Sequence, residues 1–267
     1  MKIQRFKFIV ITYLLIAFQS SVAFSAKTFR DFFPLAKEDY IYDQYFQVKE
    51  NTAADFIDLL DLENVKRPFP LPTVPYNRRE QFGTWINPKN DNSCLNVRGL
   101  VLVRDADAAI TYSPDGCSVV SGAWDDPYSA RTFTSARDIQ IDHFVPLKNA
   151  YMTGAYEWDA SKRCLYANYL GNNFHLLAVN GTENMSKGDS TPSGYTPPNK
   201  HYVCQYLKQW LSVKVIWHLR LTPLEVTSIQ NEVDKNECEK AEFHMTPEEL
   251  SNQRRYMSDN KDLCARP

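Results

Sequence analysis

Hydrophobic residues recur at helical spacing in three stretches of the chain. Residues 27–66 contain an apolar stripe after a capping Asn-Thr pair, and residues 202–219 carry Tyr, Trp, Leu and Val at near-helical spacing. Residues 247–256 follow Thr246, a residue type that caps helices, and have two Glu in the first turn. These patterns predict a helical leader and two later helices that cover a sheet.

Short runs typical of β-strands lie between the helical stretches. Residues 100–103 and 118–120 are rich in Val and other apolar side chains, and the Ser-Pro-Asp-Gly run at 113–116 separates them. Such a run is turn material, so the segment is predicted to be a hairpin or a meander.

A further strand is predicted to end at a pair of polar residues. Ile139 and Ile141 alternate with polar side chains, and the alternation delivers Asp142 and His143 at the end of the strand. Pro146 then interrupts the pairing, because proline has no N–H to donate.

The next predicted strand leads into a short helix. Residues 175–179, His followed by four apolar residues, predict a strand, Asn180 and Gly181 predict a turn, and residues 183–187 predict a helix that Gly188 stops.

Prolines at alternate positions mark a boundary. Residues 67–75 contain four of them, at Pro68, Pro70, Pro72 and Pro75. This spacing excludes a helix or a central strand and predicts an extended connector. We therefore divide the chain into an N-terminal segment 1–25, a helical leader with its connector at 26–75, and a main domain at 76–267.

The first segment has the pattern of a secretory signal peptide. Residues 8–18 are apolar, but eleven residues are too few to span a bilayer, which takes roughly 20. Small residues follow, with cleavage expected after Ala23 or Ser25, and three basic residues precede it: Lys2, Arg5 and Lys7. An uncleaved amphipathic anchor is the alternative. The mature protein is expected to be secreted or periplasmic and away from the membrane.

Composition indicates a globular protein with an uneven charge distribution. The 267 residues are 43% hydrophobic and 23% charged, which excludes a disordered chain. Loss of the three basic residues of segment 1–25 changes the net charge from −2 to −5. Residues 143–221 nevertheless contain eight Lys or Arg against four Asp or Glu, and four of the five His. A local basic surface of this kind would suit an anionic partner, although charge alone favours an ordinary mixed surface.

The cysteine count favours disulfides. Six is an even number in a chain expected to be exported, and no Cys-x-x-Cys pair is present. Fifteen pairings are possible. We prefer the pairs that close local elements, Cys204 with Cys238 and Cys94 with Cys117, which leaves Cys164 with Cys264. A free, catalytic cysteine is the alternative.

Three segments of the chain resemble a known family, the HNH endonucleases with a ββα-metal core. Asp-His-Phe-Val-Pro-Leu at 142–147 is similar to the motif of a secreted branch of that family. Tyr-Ala-Asn at 166–168 and Asn-Met-Ser-Lys-Gly-Asp at 184–189 extend the resemblance, which covers residues 94–240. It implies an α+β fold with a small antiparallel sheet, a ββα-metal core covered by helices and, given the cysteines, disulfide stabilisation.

The resemblance assigns chemistry to three residues. Phosphodiester hydrolysis needs a base for water and a cation for the phosphate and the leaving oxygen. His143 suits the base, while Asp142 and Asn184 offer the hard oxygens that a single divalent cation, Mg²⁺, accepts. Neighbouring residues of a strand point to opposite faces, so Asp142 and His143 are expected to converge only if the strand end is distorted or opens into a loop.

Other residues are candidates for holding the substrate. Lys187 follows Asn184 by one turn, so it is expected to hold a phosphate or else to be an ordinary solvated lysine. The further candidates for phosphate or substrate contact are Lys148, Lys162, Arg163, Lys200 and Trp158.

The chain departs from the family at two positions. Tyr169 stands where relatives usually have Asp, and His175 stands where they commonly have the middle Asn. His175 either orients the loop through a hydrogen bond or adds a metal ligand. Glu183 is a further candidate near the metal.

The sequence therefore predicts an exported, metal-dependent endonuclease for DNA, with RNA as a second candidate substrate and little sequence preference. Nucleic acid is the expected partner, and no protein partner can be inferred. Two alternatives remain: a catalytically inactive nucleic-acid-binding module on the same scaffold, and a zinc hydrolase of another substrate.

Overall fold

The computed structural model describes residues 71–88, 93–239, 243 and 245–264. The predicted signal peptide at 1–25 and most of the 26–75 leader and connector lie outside these residues, so both stay predictions.

The described residues form eight α-helices and five β-strands. The helices are α1 (Arg78–Phe82), α2 (Val97–Arg104), α3 (Leu147–Met152), α4 (Ala160–Ala167), α5 (Gly181–Lys187), α6 (Val203–Trp217), α7 (Pro223–Lys235) and α8 (Pro247–Asp259). The strands are β1 (Thr111–Tyr112), β2 (Val119–Asp126), β3 (Arg131–Ser135), β4 (Ile139–His143) and β5 (Leu176–Asn180). Short 3₁₀ helices lie at Ala155–Glu157 and Lys200–Tyr202.

The strands form two small antiparallel sheets. Strands β1, β2 and β3 form a three-stranded meander, and β4 pairs with β5. The β4–β5 register runs from Ile139 opposite Asn180 to His143 opposite Leu176. Helix α5 follows β5 without an intervening residue, so β4, β5 and α5 form a ββα unit. The α+β class and the antiparallel sheets expected from the sequence are confirmed.

Two local predictions are wrong. Residues 100–103 belong to helix α2, not to a strand. The Asn96 side chain accepts a hydrogen bond from the Gly99 N–H and so starts the helix, and Val101 and Leu102 are fully buried. Asn180 does not form a separate turn before α5, because it ends β5 and its side chain caps the helix.

Two hydrophobic clusters enclose the ββα unit. The smaller packs α2 against β2, β4 and β5, with Trp124 donating its indole N–H to the Leu102 carbonyl at 2.9 Å. The larger contains the buried faces of α4, α6 and α7. Helices α6 and α8 begin within a residue of the predicted positions, and Thr246 caps α8 as expected.

Three disulfides tie the loops and the C-terminal region to this core. They join Cys94 to Cys117, Cys164 to Cys264 and Cys204 to Cys238, which confirms the preferred pairing. No cysteine is left free, so the alternative of a catalytic thiol is wrong. Within the described residues, no helix is long and apolar enough to cross a membrane.

Candidate active site

The carboxylate of Asp142 is held by two donors at the end of β4. Its Oδ1 accepts a hydrogen bond from Lys187 Nζ at 2.8 Å, and its Oδ2 accepts one from the Tyr128 hydroxyl at 2.6 Å. The Asp142 side chain is only 4% exposed. Both oxygens are thus fixed in direction by groups from two other parts of the chain.

Lys187 is a buried residue of the site. Its side chain is 0% exposed, and Nζ also donates to the His143 carbonyl at 3.2 Å. Burial raises the pKa of the Asp142 carboxyl and lowers the pKa of the Lys187 ammonium, and the contact between the two charges counters both shifts. The alternative of a solvated lysine is wrong, and the ammonium faces Asp142 rather than a free phosphate site.

His143 is oriented by a backbone carbonyl. Its Nε2 lies 3.0 Å from the Ala167 oxygen, which can only accept, so in the neutral ring Nε2 carries the proton and Nδ1 the lone pair. The ring stacks on Trp85 with centroids 5.2 Å apart and planes at 6°. Burial lowers the pKa of His143 to about 3, so the imidazole is neutral near pH 7.

Asp142 and His143 lie at the end of a regular strand. Strand β4 pairs regularly with β5 through His143, and Phe144 N–H still bonds the His175 carbonyl at 3.0 Å. Of the two expected arrangements, the distorted strand end is not observed, and the chain instead leaves the strand after His143 in a bend at residues 144–145. The two side chains have different partners, yet both residues line one cavity of about 300 Å³ just beyond the strand end, together with Asn184.

Asn184 enters this cavity from helix α5. Its Nδ2 donates to Gln140 Oε1 at 2.9 Å, which fixes the amide so that Oδ1 is the end free of this bond. Gln140 lies on β4, so the contact joins the helix to the strand that carries Asp142.

The donors at this cavity fit a hard cation. Lys187 and Tyr128 each occupy one position on the Asp142 carboxylate, which has about four lone-pair sites. Among the described residues, no group of three or more His, Cys, Asp or Glu side chains could hold a metal ion, so a cation here would rest on few protein ligands. A carboxylate and an amide oxygen match Mg²⁺, which keeps several waters.

The remaining predicted site residues lie apart from the cavity or are engaged elsewhere. Lys148 pairs with exposed Asp189 at 2.8 Å, and Arg163 donates to the backbone carbonyls of Gln81, Ala155 and Trp158.

Lys162 lies over the Trp158 ring, which itself packs on the hydrophobic core, and Lys200 lies in the 3₁₀ turn before α6. The structure does not bring these residues to Asp142 and His143, with the exception of Lys148 through its partner Asp189, which lines the cavity.

His175 and Glu183 also have other surroundings. His175 is buried, with Nε2 2.8 Å from the Tyr166 carbonyl, and burial lowers its pKa to about 3. Its Nδ1 is enclosed without a hydrogen-bond partner. Glu183 accepts a hydrogen bond from the Tyr195 hydroxyl at 3.1 Å and lines a different cavity, whose lining includes neither Asp142 nor His143.

Most cations of the basic window are engaged inside the protein or in ion pairs. Five of the eight contact acids or carbonyls: Lys148, Arg163, Lys187, Lys214 and Arg220. The ordinary mixed surface that the charge count favours therefore describes this window better than a surface for an anionic partner.

Sequence reasoning missed four residues of the site. Tyr128 holds Asp142, Trp85 stacks on His143, and Arg78 and Arg79 line the neighbouring cavity. The Arg-Arg pair before an aromatic segment is a weak signal, and Trp85 is too far from His143 in sequence for any periodicity to join them.

Comparison with known proteins bears on this site. Residues 106–222 match the sequence model of the C-terminal domain of GmrSD restriction endonucleases. An uncharacterized secreted protein of Arthroderma benhamiae is 39% identical over 152 residues, which cover 57% of this chain and 71% of that relative. The chain belongs to the endonuclease-related family that this sequence model describes. No solved structure matches the chain.

The family match includes every residue around Asp142. Tyr128, His143, Asn184 and Lys187 lie within it, whereas Arg78 and Trp85 precede it. The resemblance to an endonuclease family is thereby confirmed. The secreted relative and the three disulfides also confirm that the chain is an exported protein.

Proposed function

We propose that the chain is a metal-dependent endonuclease that hydrolyses phosphodiester bonds of DNA, with RNA as a second substrate to be tested. The observation that supports this most is the shared cavity at the end of β4. Its lining residues include His143, Asp142 and Asn184, which carry an imidazole, a carboxylate and an amide. These are the groups that hydrolysis of a phosphodiester needs.

His143 acts as the general base in this proposal. The Ala167 carbonyl holds Nε2–H, so Nδ1 is the atom that removes a proton from the attacking water. Trp85 packs flat against the ring and restricts its rotation. These two contacts hold the imidazole in one orientation.

Asp142 and Asn184 would hold one divalent cation, proposed to be Mg²⁺. Such a cation, when bound, supplies positive charge beside the phosphate and the leaving oxygen. Tyr128 and Lys187 keep the Asp142 carboxylate in one orientation, and Gln140 does the same for the Asn184 amide. These bonds are the protein's own contribution to the geometry of the site.

The cleavage assay uses the purified full chain with its disulfides intact. Supercoiled plasmid and a single-stranded RNA are incubated with Mg²⁺, and in parallel with a chelator. We expect nicking and linearisation of plasmid with Mg²⁺ and none with chelator, and RNA cleavage decides the substrate range.

Other outcomes would contradict the proposal. If the chain binds plasmid and RNA but cleaves neither, it is the inactive binding module. Hydrolysis of an activated ester with Zn²⁺, without cleavage of nucleic acid under any metal, would indicate the zinc hydrolase.

A further inference from the structure

A second cavity adjoins the proposed catalytic cavity across His143. It has a volume of about 310 Å³, and Trp85, Leu147 and Ala167 contribute to its wall. Arg78, His143 and Leu147 line both cavities. A ligand could therefore extend from one cavity into the other past the imidazole.

The aromatic wall of this cavity is held in place. The side chain of Asn168 is fully buried and bonds the segment on both sides of Trp85. Its Oδ1 accepts from the Ile86 N–H at 3.1 Å, and its Nδ2 donates to the Thr84 carbonyl at 3.3 Å. Because Ala167 holds His143 and the adjacent Asn168 holds Trp85, the two stacked rings are positioned by consecutive residues.

Positive charge lies at the edge of the cavity. Arg78 and Arg79 are exposed residues of α1 that line it, and Arg78 also reaches the catalytic cavity. A flat aromatic wall with cations beside it matches a nucleotide, which has a flat base attached to a phosphate. An apolar ligand without an anion would make no use of the arginines.

We propose that this second cavity binds a nucleobase next to the scissile phosphate. Trp85 stacks on the base, and Arg78 contacts the phosphate between the two cavities. The proposal rests on the proposed nuclease function and adds a substrate subsite to it. Base stacking depends on the face of the base and not on its edge, so this subsite favours nucleic acid without selecting a sequence.

The test compares two labelled oligomers that differ only in their bases. One is a short single-stranded oligodeoxythymidine, and the other carries abasic tetrahydrofuran units at its central positions. Binding to the full chain is measured by fluorescence anisotropy in the presence of chelator, so neither oligomer is cleaved. We expect the native chain to bind the base-bearing oligomer about 10-fold more tightly.

Variants assign this preference to the two side chains. Trp85→Ala should remove the preference, with the abasic oligomer bound as before, and Trp85→Phe should keep most of it. Arg78→Ala should weaken binding of both oligomers equally and reduce the salt dependence. Arg255→Ala, which removes an exposed arginine from α8, should change neither.

Two results would overturn the subsite. One is equal affinity of the native chain for both oligomers, and the other is an equal loss for both in Trp85→Ala. If Trp85→Ala does not fold, as judged by circular dichroism, the native comparison and Trp85→Phe still decide. A preference for the base-bearing oligomer without Mg²⁺-dependent cleavage would support the subsite and refute the proposed hydrolysis. Mg²⁺-dependent cleavage without this preference would support hydrolysis and refute the subsite.

Discussion

Lys187 Nζ lies 2.8 Å from Asp142 Oδ1, and both side chains are buried. The contact joins the last residue of α5 to the next-to-last residue of β4, so it closes the ββα unit at the site of the proposed chemistry. The carboxylate is thereby fixed, and its negative charge is balanced inside the protein.

Removal of the Lys187 charge is expected to destabilise the fold. Lys187→Met leaves a carboxylate buried without its cation, and breaking such a pair costs about 3–5 kcal/mol. The free energy of unfolding, measured with urea under non-reducing conditions, should fall by that amount.

Lys148→Met is the matched control. Lys148 pairs with Asp189 at the same 2.8 Å, but the two side chains are 50% and 60% exposed. An exposed pair contributes less than about 1 kcal/mol. If both substitutions lowered the free energy of unfolding equally, the burial of the Lys187–Asp142 pair would contribute nothing to stability.

The general base gives a direct kinetic prediction. Among the described residues, His143 is the only histidine that lines the proposed catalytic cavity, so turnover of His143→Ala on plasmid should fall at least ~100-fold. Circular dichroism and the melting temperature should show a folded protein. His201→Ala, at an exposed histidine, serves as the control and should retain full activity. Substantial cleavage by folded His143→Ala would remove His143 from this role.

Local sequence predicts the ββα unit because its signals are local. Ile139 and Ile141 alternate with polar residues, and the structure has β4 there. Gly188 ends α5 with a positive φ of 50°, a conformation that favours glycine. Here the periodicity and the helix stop agree with the tertiary structure.

Tertiary packing decides what the sequence could not predict. Residues 100–103 have a strand-like composition, but the Asn96 cap and burial against Trp124 make them helical. The sequence does not distinguish a buried lysine such as Lys187 from a solvated one, so a count of charges cannot predict which lysines are buried. Bonds from Asn168 to the residues on both sides of Trp85 hold it beside His143, and no local pattern reveals this contact.

The lowered pKa of buried His175 predicts that the protein loses stability in mild acid. Its pKa is lowered from 6.5 to about 3, so the unfolded chain binds more protons than the folded chain between these values. Stability is therefore full above about pH 6.5 and falls as the pH decreases toward 3. Each such histidine contributes about 1.4 kcal/mol per pH unit within this window.

Urea unfolding at several pH values between about 5 and 7.5 checks the sign and the size. His175→Gln, which does not titrate, should reduce the slope by about 1.4 kcal/mol per pH unit relative to the native chain. An unchanged slope would mean that His175 does not contribute to the acid sensitivity.

Asn184 provides the sharpest test of the proposed cation site. Asn184→Ala removes the amide oxygen and should abolish cleavage at limiting Mg²⁺, whereas Asn184→Asp keeps an oxygen and should retain part of it. Plasmid nicking is measured as a function of Mg²⁺ concentration. Gln140→Ala removes only the partner of Nδ2, so it should raise the Mg²⁺ requirement less than Asn184→Ala does.

Native-like cleavage by Asn184→Ala at limiting Mg²⁺ would show that this residue is no ligand. Glu183 would then be the next candidate, because it is the neighbouring acid on α5. Its carboxylate accepts a hydrogen bond from Tyr195, and Glu183 lines a different cavity whose lining does not include His143. A ligand role for Glu183 would therefore separate the cation from His143, and a single site could no longer hold both the base and the cation.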